Sequence, residues 1–206
     1  LPLRELKNRY EISKQHKYFR NGIDETMSID DSTHSLFGAS KLAADIYCQE
    51  YWKYFDLKVG VFRGCCLTGP LHQGAELHGF LSYLIRAAKE GKKYYIFGYK
   101  GKQVRDNIHS EDVVNAIWEF YKTKNNNGVY NIGGGSRISI NNVLKMIGNI
   151  SGQQLQIIRE QTQEGDMRDT YADTSMAHSD LNFRPKVSLE EGLKAEYQWL
   201  LGTLSA

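Results

Sequence analysis

The stretch Gly98-Tyr99-Lys100-Gly101-Lys102-Gln103-Val104-Arg105-Asp106-Asn107-Ile108-His109 is the most informative in the chain. Its glycines mark a turn, and the apolar run Tyr94 to Phe97 just before it reads as a short strand. After Ile108-His109 a helix is expected from about Ser110 to Lys122. Ser110 suits the N-cap, and Glu111 and Asp112 suit the positive end of the helix dipole. Asn125-Asn126-Asn127-Gly128 then forms a turn, and Val129 to Ile132 a second strand. Strand, turn, helix and strand in this order point to an α/β fold.

The same alternation extends outward on both sides. Upstream, Leu36, Ala39, Ala43, Ile46 and Cys48 recur at roughly helical spacing, which predicts a helix from Ser35 to Phe55 closed by Asp56-Leu57. Lys58 to Phe62 reads as a buried strand ending at Arg63-Gly64. A helix is expected from about Glu76 to Lys89, with Gly91 as its C-cap. Downstream, Ser139 caps a helix to about Ile150, and Leu155 to Ile158 is strand-like. Helices follow over Ser175 to Leu181 and Leu189 to Leu200. Residues 1–35 are polar and without a sustained period, which predicts a surface excursion with short helical pieces. No linker divides the chain, so residues 1–206 are expected to form one unit.

Composition excludes several classes. The 206 residues carry a net charge of +2, with 41% hydrophobic and 24% charged residues and no long single-sign block. A nucleic-acid partner usually needs a clustered basic face, which is missing here. No apolar run reaches the ~18 residues that span a bilayer, so no membrane partner is expected. The three cysteines have no Cys-x-x-Cys spacing, which argues against a structural metal site or a disulfide framework and for a reducing cytoplasm.

Three groups of residues have chemical potential. Phe37 and Lys41 lie one helical turn apart and share a face. On spacing alone this is most simply a surface lysine beside a packed ring. Arg105 offers a bidentate fork to a phosphate, against the plainer reading of a surface Arg105–Asp106 pair. Cys65-Cys66 sit just past a strand end, and small side chains filling the core explain Cys65 well. The run Gly133-Gly134-Gly135 lacks the spacing of a phosphate-binding loop, so a tight strand-to-helix turn suffices.

Several blocks, in order, resemble the NAD-dependent epimerase/dehydratases of the extended short-chain dehydrogenase/reductase family. Ser35-Leu36-Phe37-Gly38-Ala39-Ser40-Lys41 resembles the helix that carries that family's Tyr-x-x-x-Lys, with Phe37 in the tyrosine position. Arg63-Gly64-Cys65-Cys66-Leu67-Thr68-Gly69-Pro70 sits where the family has Arg-x-x-Asn-x-Tyr-Gly-Pro. The opening block resembles Gly-x-Gly-x-Gln-x-Arg-Asp-x-x-His, and Tyr130-Asn131-Ile132-Gly133-Gly134 the family's Tyr-Asn-Ile-Gly-Gly. Gly22-Ile23-Asp24-Glu25 resembles the acidic stretch before the active-site helix. Glu164-Gly165-Asp166 and Ala172-Asp173 resemble a later loop, in which Gln163 replaces the family's arginine. Phe183 and Pro185 to Gly192 resemble the closing segment.

The resemblance implies the C-terminal part of a doubly wound, NAD(P)-binding Rossmann-like fold plus a small α/β substrate lobe. It implies NAD as cofactor, with Lys41, Arg63 and Thr68 facing it. A nucleoside-diphosphate sugar is the implied partner, held by Cys66, Arg105 and Arg168, while His109 and Asp112 hold loop and helix start. Phe37 lacks the phenol that takes a proton in the family, leaving His34, Ser35 and Cys66 as local substitutes. Gly-Lys-Gln-Val-Arg-Asp and Arg168 lean toward the branch of CDP-sugar 2-epimerases (CDP-paratose 2-epimerase, or CDP-tyvelose epimerase), working on surface polysaccharide precursors such as those of lipopolysaccharide. A 4,6-dehydratase or reductase, and a binding-only protein, are the alternatives. The glycine-rich βαβ unit has no counterpart in residues 1–206, so the chain alone is expected to be inactive. A homodimer through the Lys41 helix is expected of the intact protein.

Overall fold

The computed structural model describes residues 1–29, 32–75, 79–153, 155–160 and 167–204. The expected helix start at Glu76 and the loop residues 163–166 lie outside the described residues.

The chain opens with a hairpin rather than helical pieces. Strands β1 (Leu3–Glu5) and β2 (Tyr10–Ile12) pair antiparallel. Ile12 and Tyr18 are buried, and so is Glu11. The expectation of an irregular surface excursion is therefore corrected. Three-residue strands are too short to display a period. The burial is also masked by charge: Glu11 is accepted inside because Arg4 and Arg9 pair with it at 2.5 and 2.7 Å.

Helix α1 (Leu36–Phe55) begins where the sequence places it, with Ser35 Oγ accepting from Gly38 N at 3.0 Å. It ends at Asp56, whose left-handed φ of 50° terminates the turn. Strands β3 (Val59–Gly64) and β4 (Cys66–Thr68) follow, broken at Cys65. Helix α2 (Phe80–Glu90) stops at Gly91, as expected from a glycine free to take φ 64°. Strand β5 (Lys93–Phe97) leads through a 3-10 turn over Tyr99–Gly101 to β6 (Val104–Arg105) and β7 (Asn107–His109).

Helix α3 (Ser110–Lys122) corrects one detail. Its N-cap is His109, whose Nδ1 accepts from Glu111 N at 3.3 Å; Ser110 is already helical. Strands β8 (Asn127–Ile132) and β9 (Ile138–Ser139) precede helix α4 (Ile140–Ser151). Ser139 is its N-cap by position, but its side chain makes no cap bond. Strand β10 (Gln156–Glu160) and helices α5 (Ser175–Leu181) and α6 (Leu189–Leu204) complete the order.

Three parallel pairs carry the architecture: β3 with β8, β4 with β7, and β5 with β10. The short pair β6 and β9 is antiparallel. Parallel strands joined by helices confirm the α/β class. Two apolar clusters divide the interior. One packs Ile108, Phe120, Tyr130, Ile132, Leu181 and Phe183 around β7, β8, α3 and α5. The other joins α2, α4 and α6 over β5, through Leu84, Ile96, Val143, Ile147 and Leu193. Arg63, Cys65 and Cys66 lie where β3 ends and β4 begins, at the carboxyl edge of a parallel strand, where open α/β folds bind ligands.

Candidate functional site

Residues far apart in sequence line one open cavity of ≈ 970 Å³. Phe37 and Lys41 of α1 form part of its wall, and Arg63, Gly64, Cys65 and Cys66 form another. Lys41 Nζ lies 5.2 Å from the centre of the Phe37 ring, over the face of a ring that carries no phenol oxygen at its edge. Ring and cation share one helical face because they are four residues apart. Cys48 and His72 also line this space. Among the described residues, the buried His72 Nδ1 has no hydrogen-bond partner.

Arg63 turns inward. Its Nε and Nη2 donate to Asp45 of α1 at 2.7 and 3.1 Å, and its Nη1 donates to Glu25 O at 3.2 Å. Burial raises the Asp45 pKa, but hydrogen bonds from Arg63 and Gln49 outweigh it and hold the carboxyl below its usual range. Glu25 in turn accepts from Asn131 N at 2.7 Å. Arg63 thus pins α1 and the acidic stretch to β3, and the Glu25 carboxylate ties that stretch to β8. Thr68 is more firmly committed: it is buried, and its hydroxyl donates to the buried Glu196 of α6 at 2.7 Å. Glu196 also accepts from Gly69 N at 3.3 Å. Arg63 thus lines the cavity with its guanidinium bonded to Asp45 and Glu25, while the Thr68 hydroxyl is bonded to Glu196.

The thiols depart from simple core filling. Cys65 Sγ lies 3.1 Å from Thr170 Oγ1 and 3.8 Å from Cys66 Sγ. The Cys66 thiol, the Thr170 hydroxyl and the charge of Arg105 outweigh burial and bring the Cys65 thiol down to about 6. Thr170 Oγ1 also reaches Val104 O at 3.3 Å, so the thiols abut β6.

Arg105 extends from β6 to the segment carrying Arg168. Its Nη1 donates to Met167 O at 2.7 Å, and Val104 N donates to Arg168 O at 2.9 Å. The two arginines expected to hold phosphate therefore lie on adjoining stretches of backbone. The Arg168 guanidinium, however, stacks 4.6 Å from the Tyr99 ring and 5.6 Å from the Tyr10 ring. Sequence reasoning missed Tyr10, because the hairpin that delivers it was read as irregular.

Asp112 and Asp106 are both held by backbone donors, and Asp106 is buried rather than part of a surface pair with Arg105. Asp112 accepts from Lys186 N and Val187 N at 2.9 and 3.2 Å, tying the start of α3 to the closing segment. Asp106 is fully buried and accepts from Ala172 N at 3.2 Å. Burial pushes its carboxyl up to about 6. The glycine run answers to packing, not to phosphate. A Cβ at Gly133 would lie 2.2 Å from Asp106 Oδ2, and one at Gly134 would lie 2.0 Å from Asn107 O.

Among the described residues, no group of three or more His, Cys, Asp or Glu side chains could hold a metal ion, and no helix is long and apolar enough to cross a membrane. The residues present suit one end of a dinucleotide. Lys41 sets a cation in the cavity wall, beside the partly apolar lining of Phe37, Leu42, Val61 and Phe62.

The profile of the NAD dependent epimerase/dehydratase family matches residues 13–133, more than half of the chain. The CDP-paratose 2-epimerase of Salmonella typhi is 30% identical over 189 residues, covering 87% of this chain and 55% of the relative. The human dTDP-D-glucose 4,6-dehydratase is 28% identical over 178 residues, covering 79% of this chain and 47% of the relative. Among solved structures, MoeE5 in complex with UDP-glucose and NAD superposes with a TM-score of 0.76 at 34% identity, covering 86% of this chain and 60% of that one. The chain thus spans about half the length of the curated relatives it matches.

Proposed function

We propose a function from one premise: this chain belongs to the NAD dependent epimerase/dehydratase family. The reading is that residues 1–206 act as a single unit supplying one side of a site for NAD and a nucleoside-diphosphate sugar, in a protein that epimerises a CDP sugar at C2. The observation that carries it is the cavity that brings Phe37 and Lys41 together with Cys66 just past the carboxyl end of β3. Solved relatives bind NAD together with UDP-sugars. The CDP-paratose 2-epimerase match favours the cytidine branch.

Bound NAD would supply the hydride acceptor and donor for a transient oxidation of the sugar. The chain's own part is binding and orientation. Lys41 would hold the ribose, Cys66 would touch the sugar or diphosphate, and Arg105 would pair with phosphate oxygens through its fork. Arg168, stacked on Tyr99 and Tyr10, would add a cation beside the nucleoside. Thr68 is left out, because its hydroxyl is spent on Glu196. Surface-polysaccharide precursors and a cytoplasmic setting complete the reading.

Phe37 supports a second reading, that of a protein that binds the sugar nucleotide without turning it over. The human 4,6-dehydratase match supports a third, a dehydratase of the same fold. One experiment separates them: the protein containing this chain is incubated with NAD and, in separate arms, a CDP-linked dideoxyhexose or a nucleoside-diphosphate hexose that keeps its 6-hydroxyl, and the sugar is followed by proton NMR. Inversion at C2 supports the epimerase, loss of water the dehydratase, and binding without change the binding-only protein. Failure to bind any nucleoside-diphosphate sugar would sink all three. We also propose that α1 and α3 meet a second copy of the chain, since Tyr47, Tyr54, Trp118 and Tyr121 are each more than half exposed. A monomer by sedimentation at micromolar concentration would exclude this.

A further inference from the structure

Cys65 and Cys66 are neighbours in sequence whose sulfurs touch at 3.8 Å across the break between β3 and β4. Both line the ≈ 970 Å³ cavity, so small solutes reach them. Their spacing matters chemically. Two sulfurs on one pyramidal trivalent centre, each about 2.3 Å from it, sit roughly 3.4 Å apart, so the pair at 3.8 Å reaches that bite with a side-chain shift of about 0.4 Å. The fold therefore holds the two sulfurs close to the bite of a soft, thiophilic centre.

A disulfide is the competing use of such a pair, and geometry disfavours it. Disulfides usually join Cα atoms roughly 4.4–6.8 Å apart, whereas adjacent residues in a trans chain are fixed at about 3.8 Å. The bond would be strained and readily reduced. Closed four-coordinate zinc is disfavoured too, since no third His, Cys, Asp or Glu joins the pair among the described residues. What remains is a centre that needs only two protein sulfurs and supplies its own third substituent.

We propose that Cys65 and Cys66 form a bidentate capture site for trivalent, thiophilic arsenic compounds at the rim of the cavity. The reaction balances without an oxidant: an organoarsonous acid, RAs(OH)2, takes two thiols to give RAs(S-Cys)2 and two waters. Two As–S bonds form, two As–O bonds break, and each thiol proton leaves in a water. Thr170 Oγ1, 3.1 Å from Cys65 Sγ, and the charge of Arg105 favour the thiolate that starts the attack. The captured group would occupy space that Phe37 and Lys41 also line, so the site doubles as a block on the cavity. The inference does not depend on which sugar nucleotide is bound.

The test uses phenylarsine oxide and intact-mass spectrometry on the whole chain. The chain has three cysteines, so Cys48→Ser leaves only the pair. The expected result is one arsenic per Cys48→Ser chain, retained in excess 2-mercaptoethanol and released by 2,3-dimercaptopropanol. Cys65→Ser and Cys66→Ser should each lose the monothiol-resistant adduct. A peptide of residues 63–70 holds the same thiols without the fold, and should bind at least about tenfold more weakly if the fold sets the spacing. Release from the Cys48→Ser chain by 2-mercaptoethanol, or equal affinity for chain and peptide, overturns the proposal. The wild-type and Cys48→Ser arms decide even if a pair variant fails to fold.

Discussion

The two parts of the candidate site are built in opposite ways. Val104 to His109 is packed on every side: Asp106, Asn107, Ile108 and His109 are all buried, and glycines pass so close that no Cβ fits. Helix α1, which carries Phe37 and Lys41, has no buried residue, and Leu36 is 93% exposed. The first region is fixed by what surrounds it. The second is held by its own caps, by partly buried packing on β3 and by the Asp45–Arg63 ion pair. A residue in the first region is held by many neighbours at once, and few substitutions satisfy them all. A residue on α1 answers mainly to function or to something that covers it.

The largest test of this contrast is Gly134→Ala. One added methyl would meet Asn107 O at 2.0 Å, and backbone cannot step aside as a side chain could. A loss of at least about 4 kcal/mol is expected, with a melting point lower by roughly 8–16 °C in calorimetry. A loss below about 1 kcal/mol would mean that the turn is loose and the contrast is false.

Next is Asp106. Its carboxyl is raised from 3.8 to about 6, chiefly by burial, so the folded chain takes up a proton that the unfolded chain releases between these values. Stability from this group is complete below pH 4 and is lost as pH rises through 6, by roughly 3 kcal/mol. Cys65 works in the other direction. Lowered from 9.0 to about 6 by the Cys66 hydrogen bond, it stabilises above pH 9 and loses that contribution as pH falls through 6. Urea melts across pH 4–9 should therefore show a minimum near 6. Asp106→Asn should flatten the acid limb alone, and an unchanged acid limb would show that another group carries it.

Thr68→Ala ranks third. It leaves the buried Glu196 carboxylate without its 2.7 Å donor, at a cost of about 1–3 kcal/mol. If Thr68 is internal, the variant loses stability while the NAD affinity of the protein containing it stays within about twofold. A larger fall in affinity with stability intact would return Thr68 to the cofactor.

These effects explain what the sequence could show. The buried block was legible because its constraints are local: Asp106, His109 and the glycines must be what they are, in order. The helix limits were legible from Ser35, Asp56 and Gly91 for the same reason. The internal bonds of Arg63 and Thr68 are not legible, because the acids that hold them, Asp45 and Glu196, lie 18 and 128 residues away. Nothing local marks such a partner. Tyr10 and Glu11 were hidden by the charges that make their burial tolerable. Cys65 was read as filler because its partner, Thr170, is 105 residues distant.

The smallest test lies on α1. Gly38 stands in its first turn, where a Cβ would meet nothing nearer than Ser35 Oγ at 3.5 Å, an ordinary contact. Its N–H, which the Ser35 cap uses, survives replacement by alanine. Gly38→Ala should thus raise stability by roughly 0.5–1 kcal/mol, because alanine favours helix and loses less entropy on folding. The melting point should rise by about 1–4 °C. The same chemical change, one methyl on glycine, would then have opposite signs in the two regions. A clear loss instead would mean that a surface seen as open at the start of α1 is filled, by a second copy of the chain or by protein packed beside Phe37. Sedimentation of Gly38→Ala against the parent chain would tell these two apart, since only the first couples the substitution to self-association.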